Sequence, residues 1–349
     1  MNEEDKKGEM VISDHLAEAK TILRDAIVID GLGGAVVHPT PYVAEGTYEQ
    51  SLAGYGYTAI NVTLVSEPTY TPTLEEVLKA IHENLVNFEI NSTARHVEKA
   101  SDITEAKKTG QLGVIFGLQS ASCLEQDRNR VRILHKLGLR VLQLTYMERN
   151  FLGDGCLEPE NRGLTHFGIQ VVRECNRLGV LVDCAHVGIQ TTLDAARYSA
   201  QPIVISHTAV RTLADNPRCV TDEQMKAVAE RGGVIGITPY APLIRTDQQP
   251  TLEDYLNHFD YAIKLIGPDH VGFATDMNDG RTKVNWITPW YYPEMTLGAN
   301  YVTRRTQGFS QKSELGNVVA GFLQRGYSTD LIRKLLGGNF IRVMREVWR

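Results

Sequence analysis

No stretch of this chain approaches the ~20 consecutive apolar residues that span a bilayer, and its opening, MNEEDKKGEM, is acidic and lysine-rich with no apolar run behind it. Neither a membrane anchor nor a secretory leader is expected, and the chain reads as cytoplasmic. A basic surface is missing as well. The 36 Lys and Arg are outnumbered by 42 Asp and Glu, giving a net charge of −6, so nucleic acid is not an expected partner. Cysteine is scarce, odd in number and without a CxxC pair: Cys123, Cys156, Cys175, Cys184 and Cys219 are expected as reduced thiols that mostly pack. Internal repeats and low-complexity linkers are also lacking. What remains is a globular composition, 42% hydrophobic and 22% charged, in a chain long enough for one large α/β barrel.

Eight short apolar, β-rich runs recur along that chain: 26–31, 57–65, 112–119, 141–146, 180–186, 202–207, 232–240 and 270–276. Most are apolar at successive positions, as strands buried on both faces must be. Amphipathic segments separate them, at 127–137, 167–178, 191–199, 221–231 and 252–266, each with apolar positions at helical spacing. Gly138, Gly179 and Gly232 stand at helix ends, where a left-handed cap favours glycine. The alternation predicts a single (β/α)8 TIM barrel over 1–349. Two stretches break the rhythm, 32–55 and 277–306. They follow the first and eighth strands and are expected to overhang the C-terminal mouth as lids, the second bringing Trp286, Trp290, Tyr291 and Tyr292. Two further helical segments, 311–324 and 329–348, are expected to complete the outer ring.

Gln119, Tyr146, His186, His207 and Asp276 end otherwise apolar strands. In a barrel, groups at strand C-termini converge on one mouth from distant points in sequence, which is how metal ligands and acid–base groups meet. Imidazole nitrogens suit zinc and other transition metals, so His186 and His207 on consecutive strands are candidate ligands of one such ion, with Asp276 as a further ligand or acid–base group. His38, in the loop after the first strand, is a candidate to swing over the mouth.

The segments GLTHFGIQVVRECNRLGVLVDCAHVG, PIVISHTAV, NPRCVTDEQM, HVGFATDMNDG and LLGGNFIRVMREVW resemble, in order and spacing, the renal (membrane) dipeptidase family of metallohydrolases. The resemblance runs from about Ala26 to Trp348. It implies a barrel that holds two bridged zinc ions and hydrolyses dipeptides. It also implies that His186 and His207 bind the second metal, that Asp276 handles protons with Tyr146 at the position of a substrate-polarising histidine, and that Arg218, with Tyr240 nearby, receives a substrate carboxylate. A homodimer is implied likewise.

Departures from the family pattern are equally specific. Where the family carries Asp-Gly-His-x-Asp after its first strand, this chain reads Asp30, Gly31, Leu32, Gly33, Gly34, and the bridging glutamate falls at Gln119. Two dications would face too little negative charge. The sequence therefore points to a dipeptidase-like hydrolase of a small amide or amino-acid-derived substrate bearing a carboxylate, with one zinc or similar ion or none. Two alternatives are a barrel reassigned to lyase or isomerase chemistry and an inactive relative that binds a small molecule or a partner.

Overall fold

The computed structural model describes residues 3–33, 48–65, 71–277 and 305–348, with side chains from Asp14 onward. Most of both expected lids, with His38 and the aromatic group 286–292, lies outside the described residues. Nine parallel strands are present among those described: β1 (Ile29–Asp30), β2 (Ala59–Thr63), β3 (Ala94–His96), β4 (Leu112–Leu118), β5 (Leu139–Gln143), β6 (Leu181–Asp183), β7 (Val204–Thr208), β8 (Val234–Ile237) and β9 (Val271–Phe273). Eight of them follow one another in the order β1-β2-β4-β5-β6-β7-β8-β9, each overlapping one of the eight apolar runs, with β5 beginning two residues before its run and β7 ending one residue after its run. The ends meet where Gly31 N–H donates to the Phe273 carbonyl at 3.1 Å and Asp276 N–H to the Leu32 carbonyl at 2.8 Å. The buried Asp30 carboxylate reinforces this seam, accepting from Thr275 N–H at 2.7 Å and Thr275 Oγ1–H at 2.6 Å. The ring of strands is thus the (β/α)8 barrel read from the sequence.

The ninth strand was not foreseen. β3 pairs with the first residues of β4, from Ala94↔Leu112 to His96↔Val114, below the point where β5 joins at Phe116↔Leu139. Three residues with an arginine and a histidine among them carry no β pattern, and pairing rather than propensity makes them a strand. Helices pack outside the strands, and several begin as the sequence dictates. Thr73 with Glu76, Thr221 with Gln224 and Thr251 with Asp254 form reciprocal caps at helices Leu74–Ile90, Asp222–Glu230 and Leu252–Ile266. A further helix, Glu3–Asp25, packs along Leu315–Gln324. No helix among the described residues is long and apolar enough to cross a membrane.

The last segment corrects the expectation of a helix on the outer ring. Thr329–Arg333 runs into a wide turn at Lys334–Gly338 and then into a helix at Asn339–Val347. Its apolar side chains Phe340, Val343, Met344 and Val347 join Ile29, Ala59, Ile115, Val141, Leu181, Val204 and Val234 in one buried cluster. These are residues of the strands' inward face near their N-terminal ends, so this helix plugs the floor of the barrel. Room for the plug comes from glycines. A Cβ on Gly272 would lie 2.6 Å from the Phe340 ring, and one on Gly31 would lie 2.9 Å from it and 2.3 Å from the Ser206 carbonyl.

Candidate active site at the barrel mouth

Above that floor the strand ends turn polar. Gln119, His186 and His207 come together: the two Nε2 atoms lie 2.8 Å apart, and Gln119 Nε2 is 3.4 Å from the first and 3.1 Å from the second. All three side chains are buried. His207 is oriented from behind. Asp183 on β6 accepts Ser206 N–H and Ala185 N–H through Oδ1, at 2.8 and 3.0 Å, and Ser206 Oγ–H through Oδ2 at 2.5 Å. Ser206 Oγ lies 2.7 Å from His207 Nδ1. A hydroxyl has one proton. Given to Asp183, it leaves Ser206 Oγ to accept from His207 Nδ1–H, so His207 Nε2 carries a lone pair.

The same reasoning applies to His186. It sits in a left-handed conformation, φ 63°, which aims its ring into the mouth. Its Nδ1 is 3.4 Å from Met147 Sδ, and a thioether has no proton to give. Nδ1 therefore carries the hydrogen and Nε2 is again a lone pair. Two lone pairs at 2.8 Å repel, and among the described residues the Gln119 amide N–H group, 3.4 and 3.1 Å away, is placed to donate to both. Burial and the charge of Arg218 push both imidazoles well below their ordinary pKa. Tyr146 stacks on the His186 ring with centroids 4.0 Å apart, and Met147 packs with Tyr146, Cys156 and Tyr240.

Arg218 lies 3% exposed beside this pair and donates from Nη2 to the His207 carbonyl at 2.8 Å. Its Nη1 is buried with no hydrogen-bond partner among the described residues. An arginine serving only its own loop would pair with Asp215 or Asp222. Asp215 instead takes Arg211 Nε at 3.1 Å, and Asp222 takes Tyr261 and Thr212. A cavity of about 180 Å³ adjoins, lined by His186, Arg218, Arg211, Cys156 and Gln224 among others. Asp276 ends the β9 side of the mouth at φ 52°. Burial raises its carboxyl to about 6, against the lowering charges of Arg218 and Lys312.

Of the sequence-derived candidates, Gln119, Tyr146, His186, His207 and Arg218 thus form one contiguous group and Tyr240 borders it through Met147. Asp276 shares the mouth but makes no hydrogen bond to these side chains. Asp183, Ser206 and Met147, which set the imidazoles, escaped the sequence reading. The motif "one acid three residues before a histidine, one serine before the next" was the available signal. Lys312 escaped it too. It reads as a solvated helix start, yet it is fully buried, its Nζ donating to the Gly33 carbonyl at 3.0 Å, to Tyr48 Oη at 3.3 Å and to the Met277 carbonyl.

The donor set suits one borderline transition ion, with Gln119 able to present Oε1 on turning its amide. It does not suit two. Leu32, where the family places a histidine, is 2% exposed, and Gly33 lies so close to Ile60 that a Cβ would meet it at 2.9 Å. Glu125 is no substitute, being turned outward to Arg130 at 3.0 Å. No group of three His, Cys, Asp or Glu that could hold a metal exists among the described residues.

A parallel barrel with imidazoles, a buried guanidinium and a high-pKa carboxyl at its C-terminal mouth has the architecture of the barrel metallohydrolases. More particularly, a model of the membrane dipeptidase family, Peptidase family M19, matches residues 58–297 and 292–349, and the chain belongs to that family. The dipeptidase tcpJ of Claviceps purpurea (strain 20.1) is 31% identical over 252 residues, which cover 71% of this chain and 54% of that protein. The dipeptidase verJ of Clonostachys rogersoniana is 28% identical over 253 residues, covering 71% and 58%. The chain thus spans little more than half the length of these curated relatives. Among solved structures, an amidohydrolase from Pseudomonas aeruginosa superposes with a TM-score of 0.84 at 28% identity, covering 95% of this chain and 99% of the other.

Proposed function

We propose that the protein is a dipeptidase-like hydrolase that cleaves a small amide bearing a free carboxylate, with one transition ion held by His186, His207 and Gln119. The observation that carries this reading is the juxtaposition of two facing imidazole lone pairs with a buried arginine whose Nη1 has no partner. One site asks for a cation and the other for an anion. The ion would answer the first and the free carboxylate of the substrate the second, leaving the scissile amide between them.

In this reading Arg218 takes the carboxylate, a planar fork matched to a planar anion. The ion would supply Lewis acidity, polarising the amide carbonyl and acidifying water. Tyr146 holds the plane of His186 by stacking, and Asp183 through Ser206 holds that of His207. Asp276, with a carboxyl near 6, takes up the proton released by the attacking water and returns it to the leaving amine. The five free thiols fit the proposed cytoplasmic setting.

The test is hydrolysis of a panel of dipeptides and N-acyl amino acids, each with its C-terminal amide as control, with and without added zinc. Cleavage confined to free acids supports the reading, whereas equal cleavage of acid and amide removes Arg218 from it. The lack of a three-membered acid, thiol or imidazole cluster among the described residues favours a second reading, a metal-free barrel that binds a small molecule without hydrolysing it. Near-stoichiometric metal in the purified protein would exclude that alternative.

A further inference from the structure

We infer that Lys312 is a positioning residue for the proposed reaction: its buried ammonium pins the backbone beside Asp276 to the opposite edge of the mouth and supplies a fixed positive charge to that carboxyl. This rests on the reading in which Asp276 moves the proton. Asp276 is held in a left-handed conformation, φ 52°, which a residue with a side chain keeps only where its surroundings overdetermine it. One hold is the bond from its own N–H to the Leu32 carbonyl at 2.8 Å. One residue further along each segment come two acceptors, the carbonyls of Gly33 and Met277, which cannot bond to each other. Lys312 Nζ bridges them, donating to Gly33 at 3.0 Å, to Met277, and to Tyr48 Oη at 3.3 Å. An ammonium carries three donors, which match these three oxygens.

The lysine is itself fixed in place. Tyr57 Oη–H donates to its carbonyl at 3.3 Å. Just beyond it, the Glu314 carboxylate accepts Ser310 N–H at 2.6 Å and Ser310 Oγ–H at 3.1 Å. The Lys312 side chain is fully buried, so its charge is weakly screened. Arg218, in the segment after β7, and Lys312 both act on the Asp276 carboxyl and oppose the rise that burial imposes. Asp30, on β1, feels the same ammonium. Lys312 also grips the residue that follows Asp276, so geometry and charge reach the carboxyl from one side chain. A neutral chain of the same length would leave the Gly33 and Met277 carbonyls without that bridge and release Asp276 from one of its two holds.

The test compares wild type with Lys312→Met, which keeps the length and loses the charge and the donors. In wild type kcat/KM should fall as pH drops below about 6, where Asp276 protonates. Removing a close positive charge raises a carboxyl pKa by about one to three units. The low-pH limb of Lys312→Met should therefore move up by about one unit or more, with kcat lowered about tenfold or more and KM little changed. A limb that stays at about 6 makes Lys312 merely structural and overturns the inference, whatever happens to kcat. A wild-type profile with no such limb refutes the role of Asp276 and this inference with it. A second readout needs no turnover. The difference in urea-unfolding stability between wild type and Asp276→Asn follows the protonation of Asp276 with pH. Its midpoint should rise by the same interval when both proteins carry Lys312→Met, and an unmoved midpoint overturns the inference even where no substrate is found. Should Lys312→Met not fold, Lys312→Ala refolded in n-propylammonium, which restores the missing chain and charge, decides. It should recover there and not in 1-propanol; equal recovery in the two, or none in either, overturns the inference.

Discussion

Asp30 closes the barrel, and closing it this way makes stability depend on pH. The side chain is fully buried, and desolvation raises its carboxyl from 3.8 to about 7, outweighing the charge of Lys312 and the hydrogen bonds from Thr275 and Leu32. A carboxyl whose folded pKa lies above its unfolded value binds protons more tightly when folded. Its contribution is therefore fully present below the unfolded pKa of 3.8 and is lost as pH rises through about 7. The span of roughly three pH units, at 1.36 kcal/mol each, corresponds to about 4 kcal/mol. Asp30→Asn keeps the acceptor for Thr275 N–H and Leu32 N–H and cannot ionise. Urea unfolding of both proteins from pH 4 to pH 8 isolates the effect, because every other titration cancels in the difference. The variant should gain on the wild type by about 4 kcal/mol across that interval, most of it between pH 4 and 7. A constant difference over the whole range would show that the hydrogen bonds and Lys312 keep Asp30 ionised, and would refute the dominance of burial.

Phe340→Ala should cost about 3 to 5 kcal/mol, measured by urea unfolding, because the ring fills the barrel floor against glycines and no neighbour can collapse into its space. Ser206→Ala should lower zinc affinity about 10- to 100-fold by freeing the orientation of His207; unchanged affinity would show that Ser206 does not set the imidazole. For Asp276, acting as proton acceptor, kcat/KM should fall as pH drops below about 6, following its raised carboxyl. Asp276→Asn should reduce kcat about 10²- to 10⁴-fold, and an intact low-pH limb in that variant would assign the titration elsewhere.

The barrel was legible because its strands are apolar on both faces and its helices on one, a pattern that survives in a single sequence. Every one of the eight runs overlaps a barrel strand. β3 was not legible, since Ala94–His96 owes its conformation to a neighbour's free edge. Nor was the destination of Asn339–Val347: its amphipathic pattern predicts a helix with one buried stripe, but a stripe facing the outside of a barrel and one facing its floor look alike. At the mouth, polar residues ending apolar strands stood out as a group, and the structure brings Gln119, His186 and His207 within 3.4 Å of one another. The side chains behind them were hidden for a different reason. Asp183 falls in the middle of the apolar run 180–186, and Lys312 reads as a surface lysine, so their burial depends on contacts across more than 20 residues for the first and across more than 270 for the second.

The plug has a consequence for how the chain is made. Its contacts join Phe340 and Val343 to Ile29 and Ala59, among the greatest sequence separations the chain contains. Contacts of that range are the slowest to form. On the ribosome, β1 to β9 can be synthesised and paired while the inner faces of their N-terminal halves remain uncovered, a ring of Ile, Val and Leu around an empty shaft. Only when residues 339–348 have cleared the exit tunnel can that shaft be filled. The interval before then is when the nascent chain is most exposed to aggregation, and a chain cut short before Asn339 would carry every barrel strand without the helix that fills their floor.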